Sequence, residues 1–148
     1  MVRDRFIFAI GGQTSDRTAT SQCEVFDTMN NAWFSISPLN KPAANTSAIV
    51  MNNRFIYLMP GAGIPDDPSA QKPETCTIEI LDTGSSYQFS KETNAGQVIA
   101  KNPWKSIQVQ NKEFNLVRPS AGIQLTESEI LIFGGIAKRN FVLDLQTS

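Results

Sequence analysis

Near the start of this chain five apolar residues stop at two glycines: FIFAIGG, Phe6 to Gly12. The phrase returns as FIYLMPG at Phe55 to Gly61 and as EILIFGG at Glu129 to Gly135. A strand signal that recurs in this way demands a repeat architecture, in which each copy buries its apolar surface against its neighbours. Other phrases recur in step with it. CEVFDT (Cys23 to Thr28) returns as IEILDT (Ile78 to Thr83), with an echo in FVLDLQT (Phe141 to Thr147). WFSI (Trp33 to Ile36) returns as WKSI (Trp104 to Ile107). NTSAIV (Asn45 to Val50) and PSAGIQL (Pro119 to Leu125) each precede a glycine phrase.

All of these segments read as strands: short, rich in Ile, Val, Phe and Leu, and bounded by Gly, Pro, Asn and Asp. No segment carries a sustained helical period with caps. The order within a unit is SAIV-type strand, glycine-phrase strand, acidic-phrase strand, tryptophan strand. Gly12 and Gly61 lie 49 residues apart, and Gly61 and Gly135 lie 74 apart. The longer unit has a visible cause, since Asp82 and Trp104 are 22 residues apart where Asp27 and Trp33 are 6 apart. The extra residues fall in the polar stretch GSSYQFSKETNAGQVIAKNP, Gly84 to Pro103, which reads as a surface loop. Four strands per unit at a period near 50 is the pattern of a β-propeller blade.

These residues resemble the Kelch repeat. That family's blade joins an apolar strand ending in two glycines to a strand ending in Asp and then to a spaced Trp. The first repeat matches through Gly11, Gly12, Glu24, Asp27 and Trp33, and the second through Gly61, Glu79, Asp82 and Trp104. The second departs from the pattern by placing Pro60 where the first glycine belongs. The third keeps Gly134, Gly135 and Asp144. The resemblance implies an all-β fold, a partial Kelch-type propeller of about two and a half blades with 3+4+3 strands. The expected domain is residues 1–148 as a single partial propeller, with blade units about 1–44, 45–117 and 118–148. The chain is read as opening directly on a glycine-phrase strand. The paired glycines are expected at crowded strand ends, both tryptophans buried between neighbouring sheets, and Glu24 and Glu79 tying loops or backbone inside a blade.

Composition narrows the function classes. The chain has 148 residues, 41% hydrophobic and 18% charged, as expected of a globular domain. A net charge of −1 gives no reason to expect nucleic acid or an anionic membrane as partner. No apolar run approaches the roughly 18 residues that span a bilayer. There is no histidine, so the commonest general base and metal ligand are missing. Cys23 and Cys76 fall in different units and are expected to be free thiols in a reducing, cytoplasmic setting. The sequon Asn45-Thr46-Ser47 is therefore not expected to carry a glycan.

Alternating turns assign loops to two ends of the blades. The loops after the glycine phrases share one end with the between-blade segments, and the insert at Gly84 to Pro103 lies at the other. The first end carries Arg17, Lys41, Asp66, Asp67, Lys72, Lys138 and Arg139, a mixed-charge set that serves either as a partner-binding surface or as ordinary solvated loop. In the insert, Tyr87 and Phe89 anchor either the loop itself or a partner. Asp66-Asp67 lacks the spaced oxygen ligands of a cation site. No nucleophile–base pair, phosphate loop or Cys/His metal spacing is present. The expected role is a non-enzymatic protein–protein interaction scaffold, a segment of a larger Kelch-repeat protein in a cytoskeletal or other multiprotein assembly. No cofactor is expected. Incomplete blades would be completed by further chain or a neighbouring protein. The alternatives are a fragment of a propeller enzyme (copper oxidase-like or sugar isomerase-like) or the substrate-recognition part of a ubiquitin ligase. The enzyme chemistry would need histidines or a full ring, and these 148 residues supply neither.

Overall fold

The computed structural model of the chain describes residues 2, 4–59, 75–84, 104–110, 120–134 and 141–145. Among these there is no helix, and ten strands form three antiparallel sheets. The first sheet is β1 (Phe6–Ile10), β2 (Cys23–Asp27) and β3 (Ala32–Ile36) in that order. The second is β4 (Ser47–Met51), β5 (Phe55–Met59), β6 (Thr75–Asp82) and β7 (Lys105–Gln110). The third is β8 (Ser120–Gln124), β9 (Glu129–Gly134) and β10 (Phe141–Asp144), with β9 in the centre. This is the expected all-β arrangement of 3+4+3 strands, consistent with a partial propeller.

The strands are too short to make a core within one sheet, so the core lies between sheets. Strand side chains alternate between faces, and each sheet sends one set each way. Phe6, Cys23, Val25 and Ile36 of the first sheet pack with Ile56, Leu58, Leu81 and Trp104 at the second. Ile49, Met51, Met59, Ile78 and Val109 leave the other side of the second sheet and pack with Ile130, Ile132 and Leu143 of the third. The middle sheet is therefore apolar on both faces and covered on both. Gly122 sits where these last two sheets come closest, since a Cβ there would run into the side chain of Ile49.

Among the described residues, the two end sheets are covered on one face only. Ile7 and Trp33 lie on the outer face of the first, and Ile123, Phe133 and Val142 on the outer face of the third; all five are exposed. Trp33 corrects the expectation of two buried tryptophans. It is 53% exposed, whereas Trp104 is 3% exposed. The two occupy matching register positions. Trp33 pairs with Phe26, and Trp104 precedes Lys105, which pairs with Ile80. The motif position is the same, but the first sheet covers Trp104 and no described residue covers Trp33. Among the described residues its ring neighbour is Phe26 of its own sheet, with centroids 5.1 Å apart.

An ion-pair clasp recurs at the turn end of the first two sheets. Arg5 donates from Nε and Nη2 to the two oxygens of Asp27 at 2.7 and 2.5 Å. Arg54 does the same to Asp82, at 2.7 Å for both bonds. Each arginine also lies over the ring of the phenylalanine that follows it, 4.9 Å from the centroid of Phe6 or Phe55. The backbone joins in: Thr28 and Thr83 donate to the carbonyls of Arg5 and Arg54. Paired, planar donors of this kind are the strong form of a charged hydrogen bond. In the third sheet Ser128 and Leu145 hold these places, and the Leu145 N–H donates to the Ser128 carbonyl.

The start of the chain differs from the expectation in one detail. Val2 bridges Phe6 and is fully buried, in the relation that Met51 has to Phe55. Residue 2 thus takes the place of the last residue of an inner strand, ahead of β1.

Two outcomes follow from these contacts. Trp104→Ala should cost about 3–5 kcal/mol, as for a buried aromatic, while Trp33→Ala should cost a small fraction of that; chemical denaturation of the two variants measures the contrast. The second outcome concerns acid. Asp27 is held at about 2, below the ordinary 3.8, first by the hydrogen bonds from Arg5. A carboxylate with a depressed native pKa stabilises the fold fully above 3.8 and loses that contribution as pH falls through about 2. Melting temperatures of the parent chain should fall across this window. Arg5→Met should melt lower at neutral pH and show a shallower acid dependence there.

Candidate functional site

The loop end next to the first two sheets is built from backbone. β1 ends at Gly11 and Gly12, with φ of 58° and 109°, angles that favour glycine. A Cβ at Gly11 would come within 2.5 Å of the Ala43 carbonyl. That closeness lets the Gly12 N–H donate to the same carbonyl at 2.8 Å. The Ala43 N–H in turn donates to Thr20 O at 3.1 Å, and the Leu39 N–H to Ser21 O at 2.9 Å. The loop after β1 and the segment after β3 are thereby sewn together at one end, as the alternating-turn argument expects.

Within that loop Thr14 to Thr18 form a closed turn. The Thr14 N–H donates to Thr18 O and the Arg17 N–H to Thr14 O, both at 2.9 Å. Asp16 accepts from the Thr14 hydroxyl and from the Thr18 N–H. The first of these bonds holds its carboxyl below the usual range. Arg17 lies at φ 66° in this turn, with its side chain exposed.

Between this loop end and the second sheet lies a cleft of about 350 Å³. Gln13 and Arg17 line it from one side, Lys41 to Thr46 from another, and Leu58, Met59, Thr77 and Glu79 from the second sheet. Arg17 and Lys41 are exposed cations on its wall, and Glu79 is a buried anion. The site offers cations, backbone polar groups and a short apolar wall, which suits a protein segment carrying a carboxylate beside an apolar side chain.

Glu79 is already engaged, and not within its own sheet as expected. Its carboxylate accepts the backbone N–H of Asn40 at 3.0 Å, so it ties the exit of the first sheet to the second. Asn40 Nδ2 donates to the Trp104 carbonyl at 2.9 Å and to Ser106 Oγ at 3.0 Å. The Trp104 indole N–H donates to the Ser37 carbonyl at 3.0 Å. Ser37 to Asn40 are thus seated on Trp104, Glu79 and Ser106, with Leu39 buried in the core shared by the two sheets. Glu24, the matching glutamate of the first repeat, is exposed.

The remaining residues singled out from the sequence divide as follows. The structure brings Arg17 and Lys41 together at the cleft. Asp27 and Asp82 are in the clasps, and Asp144 ends β10 opposite Glu129. Gly134 ends β9 opposite Ser120. Asp66, Asp67, Lys72, Tyr87, Phe89, Lys138, Arg139, Gly61 and Gly135 lie outside the described residues. Cys23 is a buried free thiol; burial pushes its pKa up, and it donates to the Ser21 carbonyl. Cys76 lies on β6 opposite Val109. Among the described residues no three of Cys, Asp and Glu converge as metal ligands. None of these has a helix long and apolar enough to cross a membrane.

Sequence reasoning passed over Arg5, Arg54, Asn40 and Ser106. The arginines had a signal in the repeated Arg-Phe dipeptide before the glycine phrases, and Ser106 in the shared Trp-x-Ser of WFSI and WKSI. Asn40 had none, because its partners lie 64 and 66 residues away.

The family model described as the Kelch motif matches residues 7–40, from β1 to the seated Asn40. No curated protein matches the chain.

Glu79→Ala should lower stability by about 1–3 kcal/mol by stranding the Asn40 N–H, while Glu79→Gln, which keeps an acceptor, should recover most of it. Glu24→Ala should be within about 0.5 kcal/mol of the parent. Urea titration of the three variants measures the difference.

Proposed function

We propose that this Kelch-repeat chain serves as a non-enzymatic scaffold for protein–protein interaction and forms a segment of a larger propeller in a cytoplasmic, cytoskeletal or other multiprotein assembly. The observation that carries the interaction role is the cleft at the loop end. It is concave, held by backbone hydrogen bonds, and lined by two exposed cations that form no ion pair among the described residues. Exposed charge beside a rigid framework is suited to selecting a partner and steering its approach. The segment reading is supported by the outer faces of the two end sheets. Ile7 is 45% and Val142 50% exposed, although each belongs to a strand whose opposite face is buried in a core between sheets. Faces of that kind favour a covering neighbour. The buried, protonated thiol of Cys23 supports a reducing compartment.

The partner surface would take in Arg17 and Lys41, together with Asp66, Asp67, Lys72, Lys138 and Arg139, which the alternating turns of the sequence assign to the same end, and with Tyr87 and Phe89 as a separate contact. The test is quantitative affinity capture from cells with the parent chain and with the double variant Arg17→Glu, Lys41→Glu. Both sites are exposed, so the fold should be unchanged, with melting temperature as the control. A defined set of bound proteins should be lost with the charge reversal. Retention of the whole set by a folded double variant would rule out this cleft as the binding surface.

A further inference from the structure

Two carboxylates are buried among the described residues, and their hydrogen bonding is unequal. Asp27 is 0% exposed and accepts four bonds, two from Arg5, one from the Met29 N–H and one from Asn30. Glu79 is 7% exposed and accepts one, from the Asn40 N–H at Oε2. Among the described residues no ion pair and no hydrogen bond reaches its Oε1. A carboxylate has room for about four donors, and burying it without them is costly. Buried polar groups in native proteins find partners, and here the described residues leave a donor to be supplied.

Glu79 lines the cleft at the loop end. Thr77 lies two residues before it on β6, on the same face of the strand, and lines the cleft as well. Its hydroxyl oxygen accepts a bond from Gln108 and keeps a second lone pair. Leu58 and Met59 supply an apolar wall, and Arg17 and Lys41 are exposed. Burial therefore orders the cleft: the negative group lies inward among apolar side chains, and the positive groups lie outward. A lysine matches the inner part. Its methylene stem covers apolar surface, and its ammonium is a compact charge with three donors. An arginine matches less well, because its fork engages both oxygens of a carboxylate and Asn40 already holds Oε2. The two outer cations would repel a lysine that came alone, so a carboxylate must come with it.

We propose that the cleft takes a lysine side chain from an extended segment of a partner protein, its ammonium on Glu79 Oε1 and Thr77 Oγ1, with an adjacent acidic residue held by Arg17 and Lys41. The inference rests on the reading of this cleft as a protein-binding surface. Its probe is a library of random seven-residue peptides displayed on phage and selected on the immobilised chain of 148 residues. The recovered sequences should share a lysine next to Asp or Glu. A fluorescent copy of the most enriched peptide then gives affinities by anisotropy. Replacing its lysine with norleucine, which keeps the stem, or with acetyl-lysine should weaken binding about tenfold or more. Glu79→Gln, which keeps an acceptor for Asn40, should weaken the lysine peptide by a similar factor and leave the norleucine peptide nearly unchanged. If Glu79→Gln is unfolded by circular dichroism, Thr77→Val reads the same coupling, with a several-fold loss for the lysine peptide alone. Recovery of no shared sequence, or of one without lysine, would overturn the proposal. So would equal losses for the two peptides, which would make Glu79 purely structural, or undiminished binding by folded Glu79→Gln, which would assign Oε1 to water. Cellular capture through Arg17 and Lys41 that ignores both Glu79 and Thr77 would keep the binding role and overturn the lysine. A lysine-selective, Glu79-dependent peptide without cellular capture would sustain the lysine and count against the capture result alone.

Discussion

A short-stranded sheet that is apolar on both faces is stable only between two others, and the rest of this structure depends on that constraint. The middle sheet meets it, with Ile56, Leu58 and Leu81 buried on one side and Ile49, Met51 and Ile78 on the other. Polar groups follow the same layering. Glu79 tolerates burial because a backbone N–H from the neighbouring sheet arrives at its carboxylate. Trp104 brings a large apolar surface whose one polar atom finds a carbonyl on the same neighbour. Packing and hydrogen bonding at this junction are one feature: loss of the covering sheet would expose both.

The clasps play a different part. Arg5–Asp27 and Arg54–Asp82 lie within a sheet, at the end away from the glycine turns, and fix the start of one strand to the end of the next. Asp27 also accepts from the Met29 N–H and from Asn30, and Asp82 from the Gly84 N–H, so each carboxylate shapes the turn that follows it. So well supplied with donors, the Asp27 carboxylate is stable although fully buried. With one end of the first sheet held by the Arg5–Asp27 pair and the other by backbone bonds among Gly12, Thr20 and Ala43, its loop end is held on both sides. A surface held in this way would bind the proposed partner with little loss of conformational freedom.

How far the sequence alone reached depends on the range of the interaction. Strand number and strand order were legible, because short apolar runs and turn residues act over a few positions. The repeated Cys/Ile-Glu-x-x-Asp-Thr and Trp-x-Ser phrases mark matching register positions by themselves. Burial was not legible from the motif, and the two tryptophans show why. Trp33 and Trp104 have the same local surroundings, and only the presence of the first sheet over one of them separates their fates. The role of Glu79 was misplaced for a similar reason: its partner Asn40 is 39 residues earlier and on another sheet.

The sequence by itself therefore determined the all-β repeat, the strand units and the positions that each unit would offer to its neighbours. These are local properties of backbone preference and period-two patterning. The tertiary structure alone decided which offers are taken up. The arginine clasps close over 22 and 28 residues, and the seat of Ser37 to Asn40 closes over distances as long as 67 residues, through contacts that exist only once sheets stack. Burial and charge pairing belong to the neighbour as much as to the residue, and a neighbour is a fact of three dimensions.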